Sequence, residues 1–238
     1  MGNSLFPLNF VPNPALLAYS IVIVLWGKAM EIAVYPESAP HAVQTEASLL
    51  VFGKSLGRVS YRAELAGETA TLSAFAALSN CTQATLVCYL ETDNYGSVYR
   101  SVAAASQGTL LGVTDELSTP LIRRPALRVY HTPAGNVGII VGADLFRYEI
   151  VHALALCDSD VILHLSPTQT LQTPLVTAAL AHLCGVPILS LSGEVAHFAT
   201  EQGTLSTACQ NGTVFRSFTE RFSHATTLTV RGAERQEL

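Results

Sequence analysis

From Met30 onward the apolar residues come in short runs cut by turn residues, and this punctuation restricts the chain to a sheet-rich α/β fold. Ala84–Leu90, Ser97–Ala105 and Thr109–Val113 are separated by Asn94–Gly96 and Ser106–Gly108, which supply the positive φ of tight hairpins and predict a meander. Met30–Tyr35 and Ser48–Phe52 are further short strands, and Leu127–His131 with Asn136–Val141 flank a turn at Thr132–Gly135. Helices are predicted over Glu68–Asn80, where Leu72, Phe75, Ala76 and Leu78 recur at helical spacing, and from Asp144 to about Cys157. A third helix has Thr173 as N-cap and Pro174 at its first position, and it ends at Gly185 between buried strands Asp160–Leu165 and Val186–Leu191. Thr204–Gln210 and Thr213–Phe218 read as a hairpin about Asn211–Gly212, followed by a last strand at Thr226–Val230. Crossover units mixed with hairpins imply a mixed sheet, or two packed sheets with helices outside.

No Pro/Gly/Ser-rich linker or charge block divides the sequence, so residues 1–238 are read as one domain, with residues 1–40 poorly assigned. Ala15–Trp26 is too short to span a bilayer and lacks a basic flank, so no membrane span is expected, and Ser20–Trp26 reads as a buried strand. Only 13% of residues are charged against 49% hydrophobic, which leaves apolar area to be buried in the core or in a subunit contact. A net charge of −5 without a basic stripe argues against nucleic-acid binding. The five cysteines show neither Cys-x-x-Cys nor zinc spacing, so no metal or other cofactor is expected and a reduced, cytoplasmic compartment fits. Cys81, Cys88, Cys157, Cys184 and Cys209 are read as inert packing groups, and His152, His164 and His182 as satisfied core or interface histidines.

The segment Thr132-Pro133-Ala-Gly135-Asn-Val-Gly138-Ile-Ile-Val-Gly142-Ala-Asp144-Leu-Phe-Arg-Tyr-Glu149, followed by Ala153–Leu156 and Asp160–Leu163, resembles the central motif of the carbon–nitrogen hydrolase (nitrilase) superfamily. In that family it reads approximately T-P-x-G-x-x-G-x-x-I-C-Y-D-x-x-F-P-E, and the spacing from Gly138 through Asp144 to Glu149 matches without gaps. The resemblance extends over roughly residues 45 to 230. It implies an αββα sandwich, two mixed sheets flanked by helices, and association through the outer helices.

It also implies chemistry that this sequence has altered. Family members use a Glu–Lys–Cys triad in which the carboxylate is base, the lysine stabilises the oxyanion and the thiolate forms an acyl-enzyme. The cysteine position is Gly142; the glutamate position, in a match of Ala47–Lys54 to A-D-L-V-V-F-P-E, is Lys54; the lysine falls at Asp115, in a register free to move by one or two residues. Asp144 and Glu149 retain the motif as helix-start acids. The resemblance therefore implies a pseudoenzyme with no catalytic residues, acting through homo- or hetero-oligomerisation or through a small-molecule ligand. The alternative is an amidase-type hydrolase whose nucleophile is another cysteine. With both charge signs exchanged, Lys54 is expected within about 4 Å of Asp115 or Glu116.

Overall fold

Period-two alternation makes the sheets apolar on both faces. In β1 (Leu25–Tyr35), Ile32 and Val34 point one way and Ala33 and Tyr35 the other, and all four are buried. β2 (Leu49–Phe52) repeats the pattern, with Leu49 and Val51 opposed to Leu50 and Phe52. Each sheet must therefore be covered twice, once by another sheet and once by helices.

The computed structural model describes residues 25–118 and 126–222. Lys28–Thr219 forms one compact unit. After β2 come β3 (Arg58–Ser60), α1 (Tyr61–Ala66), α2 (Thr71–Thr82) and the meander β4 (Thr85–Asn94), β5 (Ser97–Ser106) and β6 (Thr109–Asp115). The second half contains β7 (Val129–Thr132), β8 (Gly135–Val141), a 3-10 turn Gly142–Phe146, α3 (Tyr148–Leu156), β9 (Val161–Ser166), α4 (Thr173–Cys184), β10 (Ile188–Ser192), β11 (Val195–Ala199), β12 (Leu205–Ala208) and β13 (Thr213–Phe222). One sheet runs β13-β1-β2-β4-β5-β6 with β3 beside β4; the other runs β12-β11-β10-β9-β8-β7. In each, parallel central strands (β1-β2-β4 and β8-β9-β10) pass into antiparallel neighbours.

Three apolar layers follow. Val34, Val51 and Val87 from the first sheet meet Ile139, Leu163 and Leu189 from the second. Leu50, Phe52 and Leu86 close on Phe75 of α2, while Ile140, Ile162 and Ile188 close on Leu154 of α3 and Leu180 of α4. The expected helix–sheet–sheet–helix layering is present.

Four expectations change. The Glu68–Asn80 helix begins at Thr71, because the Glu64 carboxylate reaches across from α1 to accept from the backbone N–H groups of Thr71 and Leu72. The helix expected from Asp144 is split: the 3-10 turn ends at an extended Arg147, φ −109° and ψ 98°, and α3 starts at Tyr148. Thr173 lies inside α4, whose N-cap is Gln172. The hairpin about Asn211–Gly212 is absent, since β12 pairs with β11 and β13 lies in the other sheet beside β1. There the Asn211 side-chain carbonyl accepts from Glu37 N–H and Gly212 N–H donates to Val34 O, so the turn hands the chain from one sheet to the other. The strand expected at Thr226–Val230 and most of Ser20–Trp26 lie outside the described residues.

Candidate functional site

β8 is a fully buried apolar strand from Val137 to Val141, and the chain turns sharply where it ends. Gly142 opens the 3-10 turn at φ +56°, a left-handed conformation costing an L-side chain about 1–2 kcal/mol. A Cβ at this position would run into Oε1 of Glu116, with the carboxyl carbon at 2.8 Å and Oε2 at 3.2 Å. The space a side chain at 142 would use is thus filled by Glu116, which is 5% exposed. Its Oε1 accepts from Ala143 N–H at 2.7 Å, and its Oε2 lies 3.6 Å from an Arg100 guanidinium nitrogen.

Asp144 returns the contact. Its buried carboxylate accepts from the N–H groups of Leu117 and Ser118 at 2.7 and 2.8 Å, and from the Ser118 hydroxyl at 2.5 Å. Two carboxylates are therefore exchanged between the segment after β6 and the segment after β8, each caught by the other's amides. The Gly142 carbonyl is held from below by His164 Nε2 at 2.9 Å, and His164 Nδ1 lies 2.7 Å from Ser190 Oγ. Burial pushes the imidazole down to about 4, so at neutral pH Nε2–H donates to Gly142 and Nδ1 accepts from Ser190. Every polar atom around Gly142 named here has a partner.

Lys54 lies elsewhere. It follows β2 and Gly53, is exposed, and lines a cleft of about 330 Å³ with Pro36–Glu37, Ser55, Tyr89, Pro167 and Gly193–Glu194. The cleft opens beyond the carboxyl ends of β2, β9 and β10, parallel strands whose ends commonly carry ligand sites. Burial raises the Tyr89 hydroxyl to about 12, so it is neutral there.

The expected ion pair is corrected: among the described residues the pairs are Arg58–Glu91, Arg100–Glu116 and Arg216–Glu31, and Lys54 makes none. Asp115 Oδ1 accepts instead from the hydroxyls of Ser101 at 2.5 Å and Thr92 at 3.4 Å. Strand alternation is the cause. Thr114 points to the second sheet, where its hydroxyl meets Tyr130 Oη at 2.8 Å, and Glu116 follows it, while Asp115 faces the other way. Glu149 is exposed in the first turn of α3, remote in character from the buried acids.

The cysteines are not uniformly packed away: Cys81, Cys157 and Cys209 are exposed, Cys184 is half-buried and Cys88 buried. Burial pushes the Cys88 and Cys184 thiols up, and no cysteine lines the cleft. Of His152, His164 and His182, His164 is buried and paired, His182 is exposed, and His152 stacks on Tyr148 with a buried Nδ1 that has no partner among the described residues. Among the described residues no three His, Cys, Asp or Glu side chains gather to hold a metal ion, and no helix is long and apolar enough to cross a membrane.

Sequence reasoning missed Glu37, Tyr89 and Glu194, and it named Glu116 as an expected partner of Lys54 rather than as the acid beside Gly142. Only Glu116 left a signal, as the acid adjoining Asp115 in a register one residue away. Glu37 and Glu194 are joined to Lys54 by the folding of separate turns, which no local pattern announces.

No protein-family model and no curated protein matches the sequence. Solved structures do. Nit3 of Saccharomyces cerevisiae, a member of branch 10 of the nitrilase superfamily, superposes with a TM-score of 0.63 at 13% identity, covering 81% of this chain and 90% of its own. A carbon–nitrogen hydrolase from Helicobacter pylori gives 0.59 at 12% identity, covering 80% and 88%. An amidase mutant from Nesterenkonia sp. in complex with butyramide gives 0.59 at 13% identity, covering 80% and 91%.

Proposed function

We propose that this chain, which carries the carbon–nitrogen hydrolase fold, is a nitrilase-like protein that does not catalyse hydrolysis and acts by association and by holding a small ligand. One observation carries this reading: the Glu116 carboxylate fills the space of a side chain at 142. A covalent mechanism needs a nucleophile there, and an oxyanion formed beside it needs free donors. Gly142 offers no nucleophile, and Ala143 N–H is already bound to Glu116. The resemblance places Lys54 and Asp115 at the other two triad positions; the geometry favours Glu116 as the counterpart of the family lysine, an acid where a cation belongs.

The alternative, an amidase-type hydrolase with a relocated thiol, lacks support from the site. Its nucleophile would have to be a low-pKa cysteine at the cleft, and neither Cys88 nor Cys184 is lowered. Assay of the purified protein with butyramide and simple nitriles should give no turnover, before and after Gly142→Cys. Turnover above background that thiol alkylation abolishes would overturn the reading.

Association is the second half of it. α3 and α4 cover one face of the second sheet, and their outer sides expose Leu156 at 75%, Leu175 at 72% and Leu183 at 67%. Leucines at that density on adjacent helices suit a subunit contact, either with a second copy or with a related chain. Light scattering should report an oligomer at micromolar concentration that Leu175→Glu with Leu183→Glu reduces to monomer; a monomer throughout would reject self-association. A single domain over 1–238 and a cytoplasmic location belong to the same reading, the latter resting on three exposed, unpaired cysteines that suit a reducing compartment.

A further inference from the structure

We infer that the cleft beside Lys54 binds a small zwitterion, a molecule with one carboxylate and one ammonium group a few bonds apart. This deepens the ligand-holding part of the proposed function and rests on it. Three charged side chains line the cleft, Lys54, Glu37 and Glu194, and none of them has an ion-pair or side-chain hydrogen-bond partner among the described residues. Opposite charges sharing one small cleft would ordinarily neutralise one another; here they stay apart. A ligand that completes them must therefore present both signs: a carboxylate to Lys54 and an ammonium to the glutamates.

The side chains are exposed, but their anchor points are fixed. A Cβ on Gly53 would run into the Pro36 carbonyl, with its carbon at 2.9 Å, so only glycine lets the Pro36–Glu37 and Gly53–Lys54 segments lie side by side. Gly53 N–H donates to Tyr35 O at 3.0 Å and Lys54 N–H to Ser38 O at 3.3 Å. Glu37 N–H is held by Asn211 Oδ1 at 3.1 Å. Across the cleft, Glu194 sits in the turn between β10 and β11, where Gly193 adopts φ +59° and its N–H donates to Ser166 O at 3.0 Å. The ammonium and one carboxylate thus stand on one sheet and the second carboxylate on the other, on backbone that binding need not order. Tyr89, neutral through burial, adds an aromatic wall with a hydroxyl. A volume of about 330 Å³ lies at the small end of ligand cavities, which run from about 300 to 1,000 Å³, and suits an amino-acid-sized guest.

The test is calorimetric titration of the full chain with glycine, γ-aminobutyrate and 6-aminohexanoate, each beside its acid-only and amine-only counterparts. At least one zwitterion should bind tenfold or more tightly than both counterparts. Lys54→Met should lower its affinity at least tenfold, and Glu37→Gln with Glu194→Gln should do the same. All three side chains are exposed, so these variants should keep the circular dichroism and melting temperature of the parent, and a folded variant that binds as the parent does would overturn the site. So would a panel in which no zwitterion exceeds its singly charged counterparts. Ammonia released from butyramide would instead overturn the non-catalytic reading, leaving the titration result standing, so the two failures are distinguishable.

Discussion

The segments after β6 and β8 and the cleft beside Lys54 treat charge in opposite ways. Around Gly142, charge is buried and every carboxylate oxygen named has a hydrogen-bond donor or the Arg100 guanidinium beside it; around Lys54, charge is exposed and no ion-pair partner is present among the described residues. The first arrangement resembles a core, where polar groups survive only when satisfied. The second resembles a binding surface, where groups wait for a partner from outside.

The contrast predicts unequal responses to mutation. Asp144→Ala removes three hydrogen bonds to a buried carboxylate and orphans the amides of Leu117 and Ser118, so it should cost about 4 kcal/mol in urea denaturation, whereas Lys54→Met should stay within about 0.5 kcal/mol. Equal effects would dissolve the distinction between the two regions.

Acid should act on the buried side alone. His164 has a folded-state value lowered to about 4 from an ordinary 6.5, so between these limits the unfolded chain binds the extra proton and the folded chain does not. Stability is therefore complete above about pH 6.5 and falls as pH drops to about 4, by about 3 kcal/mol in all. His197, also held low by burial, adds in the same direction. His164→Asn should flatten most of that slope in denaturation followed from pH 7 to 4.

Gly142→Cys should destabilise by about 2–3 kcal/mol, from the left-handed backbone and the collision with Glu116. Adding Glu116→Ala relieves only the collision and leaves the backbone cost, so the double variant should recover about half in the same denaturation series. Full recovery would mean that the turn tolerates a side chain and that the occupied space alone excludes the nucleophile.

The smallest effect is chemical. A disulfide reagent added to the native protein should modify Cys81, Cys157 and Cys209 at the rate of ordinary surface thiols and reach Cys88 only on unfolding. One native thiol reacting a hundredfold faster than the rest would erase the contrast and revive a relocated nucleophile.

Much of the fold was legible because the signals were local. The meander from β4 to β6 is written in alternating runs and glycine turns, and α4 in its Pro174 and Gly185. What misled was local chemistry overridden from a distance. The start of α2 is set by Glu64, in another helix. Asn211–Gly212 has the composition of a hairpin turn, yet its side chain and amide bond to Glu37 and Val34, over 170 residues away, and carry the chain to the other sheet. At the candidate site the position of Gly142 was legible from an ungapped motif, whereas the choice between Asp115 and Glu116 depended on strand parity. Alternation turns a one-residue error into the opposite face, and that alone separated Asp115, bonded to Ser101 and Thr92, from the acid beside Gly142.

The crossing at Asn211–Gly212 also sets an order of events. β13 closes the first sheet against β1, and Arg216 pairs with Glu31 at 2.9 Å across 185 residues of chain. On a ribosome, β1 emerges before β13 and keeps one row of amides and carbonyls open until the chain between the two strands has been made. Completing that edge is a late step with a long loop to close, so newly made chains spend their vulnerable interval with an apolar strand edge on offer. Shielding during synthesis, by a chaperone or by prompt docking of a sister chain, matters more for this architecture than the stability of the finished molecule would suggest.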